Sequence, residues 1–107
     1  MIPKSKPIRS KKITQSARSE NCSLRIPTVC NINTETTVYA HVSCVDKGVG
    51  IKSPDWWGVY ACSNCHDVLD KRAPDNGLFS VMIERHLLHA IYETQKKLIQ
   101  KGLIKIT

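Results

Sequence analysis

Four cysteines in two pairs are the residues of this chain best suited to chemistry. Cys22 and Cys30 have seven residues between them, and after 31 intervening residues Cys62 and Cys65 form a C-x2-C pair. Four thiolates in two local pairs can build a closed, tetrahedral Zn2+ site, and a C-x2-C turn that opens a helix aims both sulfurs at one point. The first pair needs a longer knuckle than usual, which Pro27 can stiffen. A redox reading of the C-x2-C pair would want a βαβ context, which the sequence lacks. Cys44 is the odd cysteine; it reads as a free, partly buried thiol, with replacement of Cys22 or Cys30 as the other option. His66 directly follows Cys65, and Asp70 lies four residues on, so the two share a helix face. An imidazole and a carboxylate at that spacing can hold a divalent cation with open positions; the plainer alternative is a hydrogen bond within the first turns. His41 stands in a strand-like stretch between Ala40 and Val42.

The elements that must position these groups follow from residue patterning. Residues 1–20 are polar, basic and aperiodic, and read as a flexible, extended arm; residues 21–107 read as one domain. The stretch 21–30 carries Leu24, Ile26 and Val29 around Pro27 and suits a tight knuckle. Thr37–Val42 (TVYAHV) and Trp56–Ala61 (WWGVYA) are β-branched and aromatic and predict two strands, separated by a loop with Gly48, Gly50 and Pro54. A helix is predicted from Asn64 to about Lys71 or Arg72, and a long one from Leu78 to Gln100, where Phe79, Ile83, Leu87, Ile91 and Leu98 share a face. His86 falls about 20° from Phe79 on that wheel and so points inward, whereas His89 lies further round. Gly102 ends the helix, and Leu103–Ile106 suits a short final strand.

A chain of 107 residues supports one domain. Its aromatic content is only 6%, so a metal staple would help the fold. The net charge is +7 and the pI about 9.3. Lys4, Lys6, Arg9, Lys11, Lys12 and Arg18 against Glu20 put +5 of that charge in the first twenty residues. Such an arm reads as a polyanion-seeking segment, with Lys71 and Arg72 as further phosphate contacts. It carries no core residues on this reading, so its removal should spare the fold. No apolar run approaches a bilayer span and no secretory pattern opens the chain, which predicts a cytoplasmic protein.

TVYAHVS, followed by SPDWWGVYACSNCHDVLD, resembles the HNH endonucleases, small α+β proteins of the ββα-metal, treble-clef type with zinc-stapled members. More narrowly, the chain from about Asn21 looks like the short lambdoid-prophage nuclease family called YbcO-like. The resemblance implies a phage or prophage protein in a bacterial host, acting on DNA near recombination or processing. It places His41 as general base, His66 as ligand of a catalytic Mg2+ or Mn2+, and Asp70 as a later ligand. Asp55 stands near the position of the asparagine that orients the base, holding the Nδ1 side of His41 or fixing the loop. Two departures accompany it: Ala40 stands where many relatives of the HNH type carry a metal ligand, and Asp55 replaces asparagine. His86 is then a further candidate ligand. The expected reaction is metal-assisted DNA hydrolysis. The alternative is a non-catalytic zinc module that binds DNA or a phage recombination protein, and the amphipathic last helix offers a surface for a homodimer.

Overall fold

The computed structural model describes residues 9–42, 53–70 and 80–105. Six elements follow in order: helix α1 (Lys11–Gln15), a 3-10 turn (Thr34–Thr36), strands β1 (Val38–His41) and β2 (Gly58–Ala61), and helices α2 (Ser63–Leu69) and α3 (Ser80–Gln100). The strands pair antiparallel, with Tyr39 opposite Tyr60, Ala40 opposite Val59 and His41 opposite Gly58. Gly58 has no side chain for a reason. A Cβ there would lie 2.5 Å from the Tyr39 ring and 2.8 Å from the Ala40 carbonyl oxygen.

Strand alternation splits this hairpin into two buried faces. Ala40, Val42, Val59 and Ala61 pack with the four cysteines of the two pairs, with Leu24, Ile26 and Val29 of the knuckle, and with Val68 of α2. Tyr39 and Tyr60 pack on the other face with Ile13 and Ala17 and with Leu98 of α3. Helix α3 serves both faces, because Ala90 belongs to the first cluster and Leu98 to the second. Between them, fully buried Thr94 reaches the edge of β2, where its Oγ1 accepts from the Tyr60 N–H at 3.1 Å. The Tyr60 carbonyl accepts from the Ser23 N–H at 2.7 Å, and the Tyr60 hydroxyl meets Ser16 Oγ at 2.7 Å. One residue thus ties α3, the knuckle and α1 to an edge that would otherwise stay open.

Several expectations need correction. Residues 9–20 are not an extended arm. Ser10 caps α1, its hydroxyl accepting from the Ile13 N–H, and Ile13 and Ala17, one turn apart, are buried. The sparse apolar pair went unread because the surrounding lysines dominate the composition. No final strand forms over the described residues to Lys105: Gly102, at φ 73°, turns the chain back. The Leu103 N–H then bonds the Leu98 carbonyl and the Gly102 N–H the Ile99 carbonyl, and Leu103 packs beside Leu98. The strands are shorter than predicted, and Phe79, Lys71, Arg72, Cys44, Lys4 and Lys6 lie outside the described residues. No helix of the described residues is long and apolar enough to cross a membrane.

Candidate functional site

The four sulfurs of Cys22, Cys30, Cys62 and Cys65 lie within 4.8 Å of one another. Two local turns bring them there. Cys62 caps α2, with its sulfur accepting the Cys65 N–H at 3.4 Å. In the knuckle, Arg25 takes φ 45°, and its N–H reaches Cys22 Sγ at 3.4 Å. Backbone amides of Ile32 and Ile26 likewise favour the ionised forms of Cys30 and Cys65. Such donors suit thiolates, which is the form that binds a metal. Among themselves the thiols cannot all ionise. A hydrogen bond with Cys65 draws Cys22 down to about 4, against burial, and the same bond together with burial pushes Cys65 up. Burial, with the neighbouring thiols adding to it, pushes Cys30 up to about 11. A divalent cation at the centre would remove that conflict. The chemistry of the donor set fits a metal ion such as zinc, held by four sulfurs with no ligand position to spare.

His41 forms a second centre. Its Nε2 lies 2.7 Å from Asp55 Oδ1. Asp55 is only 5% exposed, and its other oxygen accepts the Ser10 N–H at 2.6 Å. Arg9 Nη1 reaches Asp55 Oδ1 at 3.2 Å and also donates to the Ser53 carbonyl. Burial works against a charged Asp55, but the bonds from His41, Ser10 and Arg9 outweigh it and hold the carboxyl below its ordinary value. An ionised Asp55 requires the proton of neutral His41 on Nε2 and leaves Nδ1 as the basic nitrogen. The expected contact is therefore made by the opposite ring nitrogen. The Tyr39 ring stands edge-on to the imidazole, with centroids 5.4 Å apart. Among the described residues the buried Tyr39 hydroxyl has no hydrogen-bond partner. Burial, then the negative charge of Asp55, pushes its ionisation upward. Around the turn, the Ser53 hydroxyl donates to the Val42 carbonyl and the Val42 N–H to the Trp57 carbonyl, bracing the chain beside His41.

His66 and Asp70 do pair, Nε2 to Oδ2 at 3.0 Å. His41, however, shares the hairpin face of Tyr39, while α2 packs Cys65 and Val68 against the other face. Among the described residues the cysteine quartet is the one group of three or more metal-binding side chains that converges, and His66, Asp70 and His86 do not form another. Ala40, at the position of the missing ligand, is 1% exposed within the apolar core. Among the described residues, His66 and Asp70 bond each other with no converging third ligand, which does not make a fitting site for a catalytic cation. Lys11, Lys12 and Arg18 are exposed, as phosphate contacts need to be. Arg9 instead spends donors on Asp55 and Ser53. Sequence reasoning missed the Arg9–Ser10 clamp, which lies 45 or 46 residues from Asp55. The one local signal was Ser10 ahead of KKITQ, a helix cap.

Comparison with known proteins gives these centres a setting. The family described as "Putative nuclease YbcO" matches residues 11–103. Two similar curated proteins are the "Putative nuclease YbcO" of Escherichia coli (strain K12) and the "Putative nuclease ybcO" of Enterobacteria phage 82. Each is 36% identical over 94 residues, which is 87% of this chain and 96% of the relative. A solved structure, titled "Structure of a putative bacteriophage protein from Escherichia coli str. K-12 substr. MG1655", superposes with a TM-score of 0.68 at 34% identity, over 83% of this chain and 98% of the other. With nearly the whole described fold inside the matched span, cysteine quartet and His41–Asp55 pair included, this chain belongs to the family described as "Putative nuclease YbcO", with relatives in phage and bacterium.

Proposed function

We propose that this protein hydrolyses DNA phosphodiester bonds with His41 as general base, on a domain held together by a four-cysteine zinc. The observation that carries the reading is the buried Asp55 carboxylate bonded to His41 Nε2 at 2.7 Å, with His41 itself 21% exposed. Such a carboxylate fixes the tautomer and orientation of the ring and stabilises the imidazolium that forms. Nδ1 takes a proton from water, the water oxygen bonds to phosphorus, and the P–O3′ bond breaks, the leaving oxygen taking up a proton from solvent. A zinc ion held by Cys22, Cys30, Cys62 and Cys65 would supply structure and no reacting position. Exposed Lys11, Lys12 and Arg18 supply backbone affinity without sequence choice.

A second reading, a zinc module that binds DNA without cutting it, draws support from buried Ala40 and from the separation of His41 and His66 into two pairs. The test is cleavage of single-stranded, duplex and branched DNA with Mg2+, Mn2+ or EDTA by wild type and His41→Ala. The nuclease reading expects a loss of about 10²–10⁴ in rate in the variant, with bound zinc unchanged. The EDTA arm, read with the zinc content of the same sample, tells whether cleavage needs a cation besides zinc. Absence of wild-type cleavage above the variant on every substrate would leave the binding module.

A further inference from the structure

The N-terminal segment touches the body of the protein at a point where no phosphate contact would place it. Asp55 is nearly sealed, and a buried carboxylate is tolerated only where donors and opposite charge meet it. Two of its three described partners come from consecutive residues of this segment: the Ser10 backbone N–H on one oxygen and the Arg9 guanidinium on the other. The third is the imidazole of His41, on the same oxygen as Arg9. The guanidinium also donates to the Ser53 carbonyl, so it bridges two points of the segment that carries Asp55. A single guanidinium nitrogen, Nη1, makes both bonds, one N–H to each acceptor. Tyr39 closes the other side of the ring edge-on, in the space that side-chain-free Gly58 leaves open.

We propose that Arg9 and the Ser10 N–H are positioning groups, which clamp Asp55 and through it fix the His41 imidazole for the reaction. The N-terminal segment is then part of the site rather than a detachable DNA-binding arm, and Arg9 acts in orientation, not in phosphate affinity. The proposal rests on His41 being the base. α1 supplies the leverage: Ser10 is its cap, and buried Ile13 and Ala17 anchor the helix beneath Tyr39 and Tyr60. The Ser10 half of the clamp is thereby tied to the seat of α1 on the sheet.

The experiment uses the full, zinc-loaded chain with Arg9→Ala and Arg9→Lys beside wild type. One arm measures kcat, KM and the salt dependence of DNA binding. The other follows the His41 Nε2–H proton by NMR, whose slow exchange with water reports the bond to Asp55 with no reference to activity. Arg9→Ala is expected to lower kcat by about tenfold to a hundredfold, as small misplacements of reacting groups do. KM and the salt slope should stay unchanged, and the Nε2–H signal should broaden by faster exchange. Arg9→Lys should recover part of both losses. A phosphate contact behaves in the opposite way: KM rises, the slope of log K against log salt falls by about 1, and the Nε2–H signal stays sharp. That pattern would overturn the proposal. If wild type cuts no DNA, the nuclease reading falls by itself, and the NMR arm still decides whether Arg9 holds the His41–Asp55 pair.

Discussion

Replacing Thr94 by valine tests the join between α3 and the sheet. Thr94 is fully buried, and its hydroxyl is the acceptor for the Tyr60 N–H at 3.1 Å. Valine has nearly the same shape and a similar helix propensity, so neither a cavity nor helix weakening intrudes. What changes is that a buried backbone N–H loses its partner, which costs about 1–3 kcal/mol. The new methyl group returns up to about 0.8 kcal/mol of burial. The net loss is about 1–2 kcal/mol, or a fall in Tm of roughly 4–15 °C for a domain of this size. Urea denaturation reads the total, and amide hydrogen exchange locates it, because Tyr60 should lose protection before its neighbours do. Thr94→Ser, which keeps the hydroxyl, should hold the Tyr60 amide protected while losing only methyl packing. A Thr94→Val protein with the wild-type midpoint and a protected Tyr60 amide would refute the argument.

Cys65→Ser, or zinc withdrawal by a strong chelator, should unfold the domain, since structural zinc contributes on the order of 10 kcal/mol to such folds; circular dichroism with elemental analysis checks it. Removal of residues 1–8 should leave the fold intact, whereas removal of 1–18 takes away Ile13, Ala17 and the Asp55 clamp and should lower the urea midpoint sharply. Asp55→Asn should cost about 2–4 kcal/mol at pH 7, less than a fully buried ion pair because the Arg9 side chain is 44% exposed. Because the folded-state value of Asp55 lies below its ordinary 3.8, its contribution is complete above about pH 5 and is lost as pH falls below 3.8 through the depressed value. The gap between wild type and Asp55→Asn in urea melts should therefore shrink as pH falls below 4. Gly58→Ala should destabilise by about 1–3 kcal/mol and broaden the Tyr39 and His41 ring signals, because the added methyl group meets the Tyr39 ring.

The cysteine quartet was legible because thiolates in two local pairs have few other uses, and the spacing alone let the second pair return to the first. The inward face of α3 was legible from its period: Ala90 and Leu98 are buried, and Ile83, Leu87 and Ile91 pack at the margin. The pairing of His41 with Asp55 was legible as a neighbourhood, but not the ring nitrogen involved, since χ angles leave no trace in residue order. The separation of His41 from His66 was implicit in the strand period, as Ala40 and His41 must point opposite ways. Residue types alone did not say which face α2 would cover. Arg9 was hidden by its own chemistry: among lysines it reads as one more solvated cation, and only the folded chain brings a buried carboxylate to it.

The connection between the strands has a consequence for divergence within the family. The described residues on either side of it are fastened beside His41, by the His41–Gly58 pair, the Val42–Trp57 and Ser53–Val42 bonds, and the His41–Asp55 contact. Segment 43–52 lies inside those fastenings. Doubling the length of such a closed loop costs only about 0.6 kcal/mol, because closure entropy grows with the logarithm of length. Insertions there can accumulate over evolutionary time at little cost in stability and without shifting the imidazole. Chain length between Val42 and Ser53 can thus vary among relatives while His41 and Asp55 stay held by their own bonds.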